Sequence, residues 1–276
     1  IIALKVFTDS GSGSFAVLGN ALQWVVNNTD AYNIVAVNMS LGNGGNYNTN
    51  QGSSISDELL ALANKGVAVV SAAGNSFAQY SSAQGVSYPA ADINSWAVGA
   101  VFDANIGSLS YSGGATANSS GADVITPFSQ RDQNLTTVFA PGASIAGASK
   151  DGGVAVYHGT SQATPHVAGA LALAQQLAVN SLGRKLTLPE LKSLFVTTGV
   201  SIVDGDDEND NVVNTNLTFK RIDILALGNA INPIQFSPTS TSIVVNEGNI
   251  GTTAYTFTVT LGRTSSQSVT INYSTS

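Results

Sequence analysis

The chain has 276 residues, of which 10 are basic and 17 acidic, a formal charge of −7 with pI ≈ 4.5. Its length suits one large α/β domain, or one domain with part of another. Apolar residues (43%) suffice for a sizeable core and charged ones (10%) are scarce, which excludes a disordered chain. The acidic balance offers phosphates no positive field, which excludes a nucleic-acid partner. The longest apolar stretch, residues 163–179, is broken by His166, Gln175 and Gln176 and is not a membrane span. Cysteine is absent, so disulfides play no part. Absent cysteine and low charge suit an exported bacterial protein. The single Met is Met39, in mid-chain, and no signal peptide opens the sequence, so a piece of a longer protein is expected.

Residues 1–7 are an apolar run with one lysine, expected as a strand buried on both faces. Phe15, Leu18, Leu22 and Val25 then recur at helical spacing. A β-branched run over 34–39 leads into the Gly/Asn-rich loop 42–51. Ser53 and Ser54 are expected to cap a helix running through Asn64, with Gly66 just past its end. Residues 67–70 and 96–101 read as strands. This alternation predicts a parallel sheet with helices on both faces and a site beyond the carboxyl ends of its strands. Residues 109–126, rich in Ser, Gly and Ala, read as a surface insertion. Val138 and Phe139 lead into Ala140-Pro141-Gly142, and 164–179 is the longest helical stretch, followed by shorter ones over 188–197 and 222–230. At Asn232-Pro233 the pattern changes to alternating β, with too few strands to close a sandwich. The expected division is a first domain over 1–231, and a linker with an incomplete antiparallel β domain over 232–276.

Four segments are candidates for chemistry. Gly11-Ser12-Gly13-Ser14-Phe15-Ala16, with Asp30 downstream, has the form of a dinucleotide fingerprint. Thr8-Asp9-Ser10 separate it from the strand, so a Gly/Ser turn is the better reading. Ser161, ahead of the longest helix, reads alone as a helix cap; it also sits at the positive end of the dipole, which favours negative charge developing there. Ser71-Ala72-Ala73-Gly74-Asn75 is either an Asn/Gly turn or an amide donor at the sheet edge. Asn38-Met39-Ser40-Leu41-Gly42 ends the neighbouring strand.

In this order, together with Ser87-Tyr88-Pro89-Ala90, Trp96-Ala97-Val98-Gly99-Ala100, Ala140-Pro141-Gly142 and Gly159-Thr160-Ser161-Gln162-Ala163-Thr164-Pro165-His166, these segments resemble the subtilisin-like serine peptidases over about 2–230. Gln162 and Thr164 stand where Met and Ser are common in that family. The resemblance implies a three-layer α/β fold with a mainly parallel sheet. It implies a serine endopeptidase acting on protein or peptide substrates through an acyl-enzyme, with no cofactor needed for the chemistry. Ser161 matches the nucleophile and Asn75 the side-chain donor of the oxyanion hole. Ser40-Leu41-Gly42 and Ala72-Ala73-Gly74 match the segments that hold substrate backbone and wall the main specificity pocket. On this reading Ser161 caps its helix within a few ångströms of Asn75. His158 and His166 are the only histidines, and neither they nor Asp9 match the catalytic His or Asp, which the resemblance places upstream of Ile1. The rival class is a non-catalytic secreted binding or adhesion protein on a peptidase-like scaffold.

Asp204-Gly205-Asp206-Asp207-Glu208-Asn209-Asp210 holds five of the seventeen acids. Asp204 and Asp206 are candidate Ca²⁺ ligands, but the spacing departs from the twelve-residue calcium loop, and a solvated acidic loop is the simpler reading. The tail (Ile243-Val244-Val245, Tyr255-Thr256-Phe257-Thr258-Val259, Val269-Thr270-Ile271) resembles the start of a Calx-beta domain. Glu247 there matches the first acidic position of a Ca²⁺-binding β-sandwich, or is an ordinary hairpin acid.

Overall fold

The structure, a computed structural model, describes residues 1–149, 151–205, 207–232, 236–238, 258–262 and 269–270. Its centre is a six-stranded sheet built from β1 (Ala36–Met39), β2 (Ala68–Ala72), β3 (Ser95–Val101), β6 (Thr136–Pro141), β9 (Val200–Val203) and β10 (Thr218–Arg221), in the order β1-β2-β3-β6-β10-β9. The first five in that order are parallel, and β9 closes one edge antiparallel to β10. Two hairpins lie outside it: β4 (Leu109–Ser110) with β5 (Thr116–Ala117), and β7 (Ile145–Ala148) with β8 (Val154–Tyr157). A further antiparallel pair joins β11 (Phe236–Pro238) to β12 (Val259–Leu261).

The period of two in the strands sorts side chains into layers. Ala68 and Val70 face one side, with Val98, Ala100, Val138 and Ala140, and pack on α3 (Thr160–Leu182), α4 (Leu188–Thr198) and α5 (Ile224–Ile231). Val67 and Val69 face the other and meet α1 (Phe15–Asn28) and α2 (Ser56–Asn64) through Leu18, Leu22, Val25, Leu59 and Leu62. The three-layer α/β reading and the α1 stripe hold. In α3 the residues against the sheet are mostly small (Ala163, Ala170, Ala174, Ala178), so the helix lies close to the strands. Among the described residues no helix is long and apolar enough to cross a membrane.

Several expectations are corrected. Residues 1–6 form no strand, and Phe7 makes only an isolated bridge to Gly13. Ile1, Ile2, Leu4 and Phe7 are exposed. An apolar run becomes a strand only with a neighbour to complete its ladder, and β1 on that side pairs only with β2. Ser53 and Ser54 do not cap α2: Ile55 occupies the cap without a side-chain bond, and the Ser53 N–H instead donates to Ser56 Oγ (2.9 Å). Gly66 does end that helix, at φ +73°. Residues 109–126 are not simply surface, because Ala115, Ala117 and Ile125 are buried in the core. In the Gly11–Gly13 turn, Ser14 caps α1 through the Val17 N–H (3.3 Å), and the Phe7 ring lies where a Gly13 side chain would go.

The entry to α4 gives the first prediction. Thr187 Oγ1 accepts from the Glu190 N–H, and Glu190 Oε2 accepts from the Thr187 N–H (2.8 Å), a reciprocal cap. Arg184 grips the same carboxylate with both terminal nitrogens (2.7 and 3.0 Å). The Arg184 hydrogen bond, then those from Thr187, hold Glu190 down at about 2. A carboxylate with a depressed folded pKa stabilises fully above its unfolded value and loses that contribution as pH falls through its folded one. Thermal unfolding should therefore show a loss of stability between about pH 4.5 and 2 that Glu190→Gln removes. Thr187→Ala should cost about 1 kcal/mol at neutral pH.

Candidate active site

The carboxyl ends of β1 and β2 and the N-terminus of α3 converge. β1 and β2 run in register to Met39↔Ser71, so Ser40-Leu41-Gly42 and Ala72-Ala73-Gly74 leave the sheet side by side. A third segment joins them from below. The Ser87 N–H donates to Ala73 O (2.7 Å), Ser87 Oγ accepts from the Gly44 N–H (3.2 Å), and the Asn43 N–H donates to Tyr88 O (2.9 Å). Gly42 and Gly74 fit only as glycines: a Cβ on Gly42 would lie 2.5 Å from Ser87 Oγ, and one on Gly74, whose φ is +112°, would overlap Gln130 Oε1.

Ser161 is the second residue of α3, not its cap. Gly159 holds the cap position without a side-chain bond, at φ +149°. The residue is half-buried, and its Oγ donates to Ser40 O (3.1 Å) while Ser40 Oγ donates to Ser161 O (2.7 Å). Pro165 explains why that carbonyl is available. It stands four residues on and has no N–H for the helical bond, so Ser161 O turns to Ser40 instead. A serine followed four residues later by proline thus ties the helix start to the end of β1.

Asn75 is held by the residue next to Ser161. Its Oδ1 accepts from the Thr160 N–H (2.8 Å) and from Thr160 Oγ1 (2.9 Å), and Thr160 Oγ1 in turn accepts from the Gly74 N–H (3.1 Å). With Oδ1 committed, Nδ2 faces outward as a donor, 3.0 Å from where a Gly159 side chain would begin. The Ser161 N–H, one of the orphan donors of the first turn, has no acceptor among the described residues. The structure therefore gathers a half-buried hydroxyl and two uncommitted N–H donors at the positive end of a 23-residue helix. Thr160, fully buried and the hinge of this arrangement, escaped the sequence reading because its partners lie 85 and 86 residues away.

Leu41 and Gly42 also line a cleft of about 170 Å³ with Phe15, Leu18 and Phe7. Ala72 and Ala73 are buried beside it rather than lining it. Neither histidine reaches Ser161 Oγ. His158 Nδ1 accepts from the Ser144 N–H (2.9 Å) and its ring meets Tyr111 edge-on (5.4 Å between centroids). His166 Nδ1 pairs with Gln162 O (2.9 Å) on its own helix. Asp9 forms an exposed ion pair with Lys5.

The acidic loop is not a solvated one at its start. Asp204 is fully buried and grips Arg131 with both oxygens (2.8 Å each), while Thr215 donates to Asp204 Oδ2 from its N–H (2.7 Å) and its hydroxyl (2.5 Å). Those bonds make Asp204 the counterion of Arg131. Asp206 and Glu247 lie outside the described residues, as do residues 243–245 and 255–257 of the tail. Among the described residues no group of three or more His, Cys, Asp or Glu is placed to hold a metal.

Known proteins similar to this chain include several subtilisins. Subtilisin J of Geobacillus stearothermophilus is 35% identical over 177 residues, covering 63% of this chain and 38% of that protein. Subtilisin of Bacillus pumilus is 34% identical over 177 residues, covering 63% and 52%. The chain thus spans two fifths to half the length of these relatives. A cold adapted subtilisin-like serine proteinase of known crystal structure superposes with a TM-score of 0.53 at 28% identity, over 71% of this chain and 58% of that one. The prenylagaramide maturation protease PagA shares the fold, with a TM-score of 0.61 at 22% identity over 82% and 71%. The family model of the subtilases, Peptidase S8, matches residues 1–223, and the chain belongs to that family.

Proposed function

We propose that this chain carries the nucleophile and oxyanion-binding donors of a secreted serine endopeptidase. The observation that supports it most directly is the Asn75–Thr160–Ser161 arrangement, which aims one side-chain amide and one backbone N–H into the space beside a half-buried hydroxyl. Ser161 Oγ attacks the scissile carbonyl carbon, and its proton passes to an imidazole base. The carbonyl oxygen becomes an oxyanion against Asn75 Nδ2 and the Ser161 N–H. Collapse breaks the C–N bond, the base protonates the leaving amine, and water hydrolyses the ester by the same route. Substrate backbone lies along Ser40-Leu41-Gly42 and Ala72-Ala73-Gly74, and the cleft lined by Phe15, Leu18 and Leu41 takes an apolar substrate side chain.

Both histidines have structural partners, so the base and its carboxylate come from residues outside this chain, as the family order Asp, His, Ser requires. The substrates are proteins or peptides in the extracellular space, and the chemistry needs no cofactor. Residues 1–231 form the peptidase portion, and 232–276 a linker and the start of a Calx-beta domain, where Ca²⁺ ligands such as Glu247 would belong.

The test is active-site labelling of the full-length protein with a fluorophosphonate. Modification should map to Ser161 and disappear in Ser161→Ala; a labelled protein with Ser161 unmodified, or none labelled at all, refutes the assignment and leaves a binding scaffold. In the same protein Asn75→Ala should lower kcat by about 10²–10³, the loss found in subtilisin when its side-chain donor is removed. Thr160→Val, which leaves Asn75 Oδ1 only the backbone N–H of residue 160 and removes the acceptor of the Gly74 N–H without touching substrate, should cost about tenfold and add little to Asn75→Ala.

A further inference from the structure

At the opposite end of the sheet from Ser161 lies a second cleft, of about 230 Å³, between β6, β10 and α4. It exists because two parallel strands splay. β6 and β10 share a single ladder position, Phe139↔Arg221, and toward their N-termini they part. On its other side β6 pairs with β3 through a register shift, Ala97↔Thr136 followed by Val98↔Val138, which leaves Thr137 as the extra residue of a bulge. Thr137 is nine-tenths buried, lines this cleft, and its hydroxyl has no hydrogen-bond partner.

The charges around it are unusual for an acidic chain. Two of its ten cations, Lys192 and Lys220, line the cleft, and no Asp or Glu does so among the described residues. Lys192 has no ion pair or hydrogen bond among the described residues, and burial pulls its pKa below the ordinary lysine range. Lys220 Nζ donates to Ser201 Oγ (2.8 Å) and Gly199 O (3.3 Å), leaving one of its three donors. The nearest acid along the chain, Asp132, is turned away, with Oδ1 accepting from the Asn134 and Leu135 N–H groups (2.8 and 3.1 Å). Phe219 and Val196 supply an apolar wall.

We propose that this cleft binds a small organic carboxylate. The carboxylate accepts from the Lys192 and Lys220 ammonium groups, and its apolar body lies on Phe219 and Val196. Such a ligand gives Lys192 the counterion it lacks among the described residues and takes up the remaining Lys220 donor. The site is separate from the proposed chemistry: β6 alone puts six residues, roughly 20 Å, between its entrance and the Gly142 that backs Gly159.

Isothermal titration of the full-length protein with sodium benzoate, and separately with inorganic phosphate, tests this. Saturable benzoate binding is expected, weakened tenfold or more by Lys192→Gln and unchanged by Lys65→Gln, an exposed cation elsewhere. Lys192 should titrate at higher pH when benzoate is bound. Lys192 stands exposed on α4, although neighbouring protein partly desolvates it, so its variant should keep the parent melting temperature. Absence of saturation by benzoate, or equal affinity in Lys192→Gln and the parent, overturns the site. Tighter binding of phosphate than of benzoate overturns the organic carboxylate.

Discussion

Turnover of a peptide substrate by this chain alone should fall about 10⁶ below that of a longer polypeptide in which an imidazole reaches Ser161, the loss found in subtilisin when triad residues are removed. The reason is visible in where the Ser161 proton goes. Its hydroxyl donates to Ser40 O, a carbonyl that cannot accept the proton outright, so the oxygen stays a weak nucleophile. The donors for an oxyanion are nonetheless in place, and in subtilisin such a remnant still supplies roughly 10³–10⁴ over water. Ser161→Ala should therefore change the rate of this chain little, while in the longer polypeptide it should remove nearly all activity. Side-by-side assays with one chromogenic peptide decide it. Equal and high rates would place the base within these residues. His158, which keeps one ring nitrogen beyond the bond from Ser144, would then be the first to replace.

The parts of this fold that were legible in the sequence are those where one local pattern suffices. The stripe of Phe15, Leu18, Leu22 and Val25 can bury only as a helix, and the run ending at Val70 can bury on both sides only as an inner strand. Asn75 and Ser161 were legible because their surroundings recur as motifs, not because spacing alone assigns them a role. What stayed hidden depends on partners far along the chain. Residues 1–7 have the composition of an inner strand, but composition carries no information about which neighbour is present to pair with. β9 and β10 bury one side chain each outright, too little for a period to show. Thr160 carries nothing in the sequence that marks the place folding gives it, against Asn75 and Gly74. Pro165 lacks an N–H, and that is what lets Ser40 hold the helix start, a contact between residues 121 apart in the chain.

Asp204 is the sharpest case of a residue misread from its neighbours in sequence, and Asp204→Ala should cost about 3–5 kcal/mol, the usual consequence of stranding a buried charge. Arg131 is fully enclosed. Two of its nitrogens bond Asp204, Nη1 donates to Ser129 O (3.0 Å), and its guanidinium lies over the Phe77 ring at 3.7 Å. Burial drives the Arg131 pKa down, and Asp204 is the chief group opposing it. Glu208 and Asp210 also bear on Arg131 through their charge, but neither hydrogen-bonds it. Asp204→Asn keeps the shape and should lose less, whereas the pair Arg131→Met with Asp204→Leu removes both charges and should recover part of the loss. Urea unfolding would show this as a fall in midpoint for Asp204→Ala that the double variant partly reverses; a loss below about 1 kcal/mol would mean that solvent reaches the pair. The damage should also travel to the proposed site. The Gln130 N–H donates to Gly74 O (2.9 Å), and Arg131 O accepts from the Gly85 N–H (2.9 Å), so the segment that Arg131 anchors is the one that holds Gly74 and the loop below it. In the full-length protein, Asp204→Asn should thus lower kcat more than KM, because a shifted Gly74 carries Asn75 Nδ2 off its aim while the substrate-binding cleft at Leu41 stays as it was.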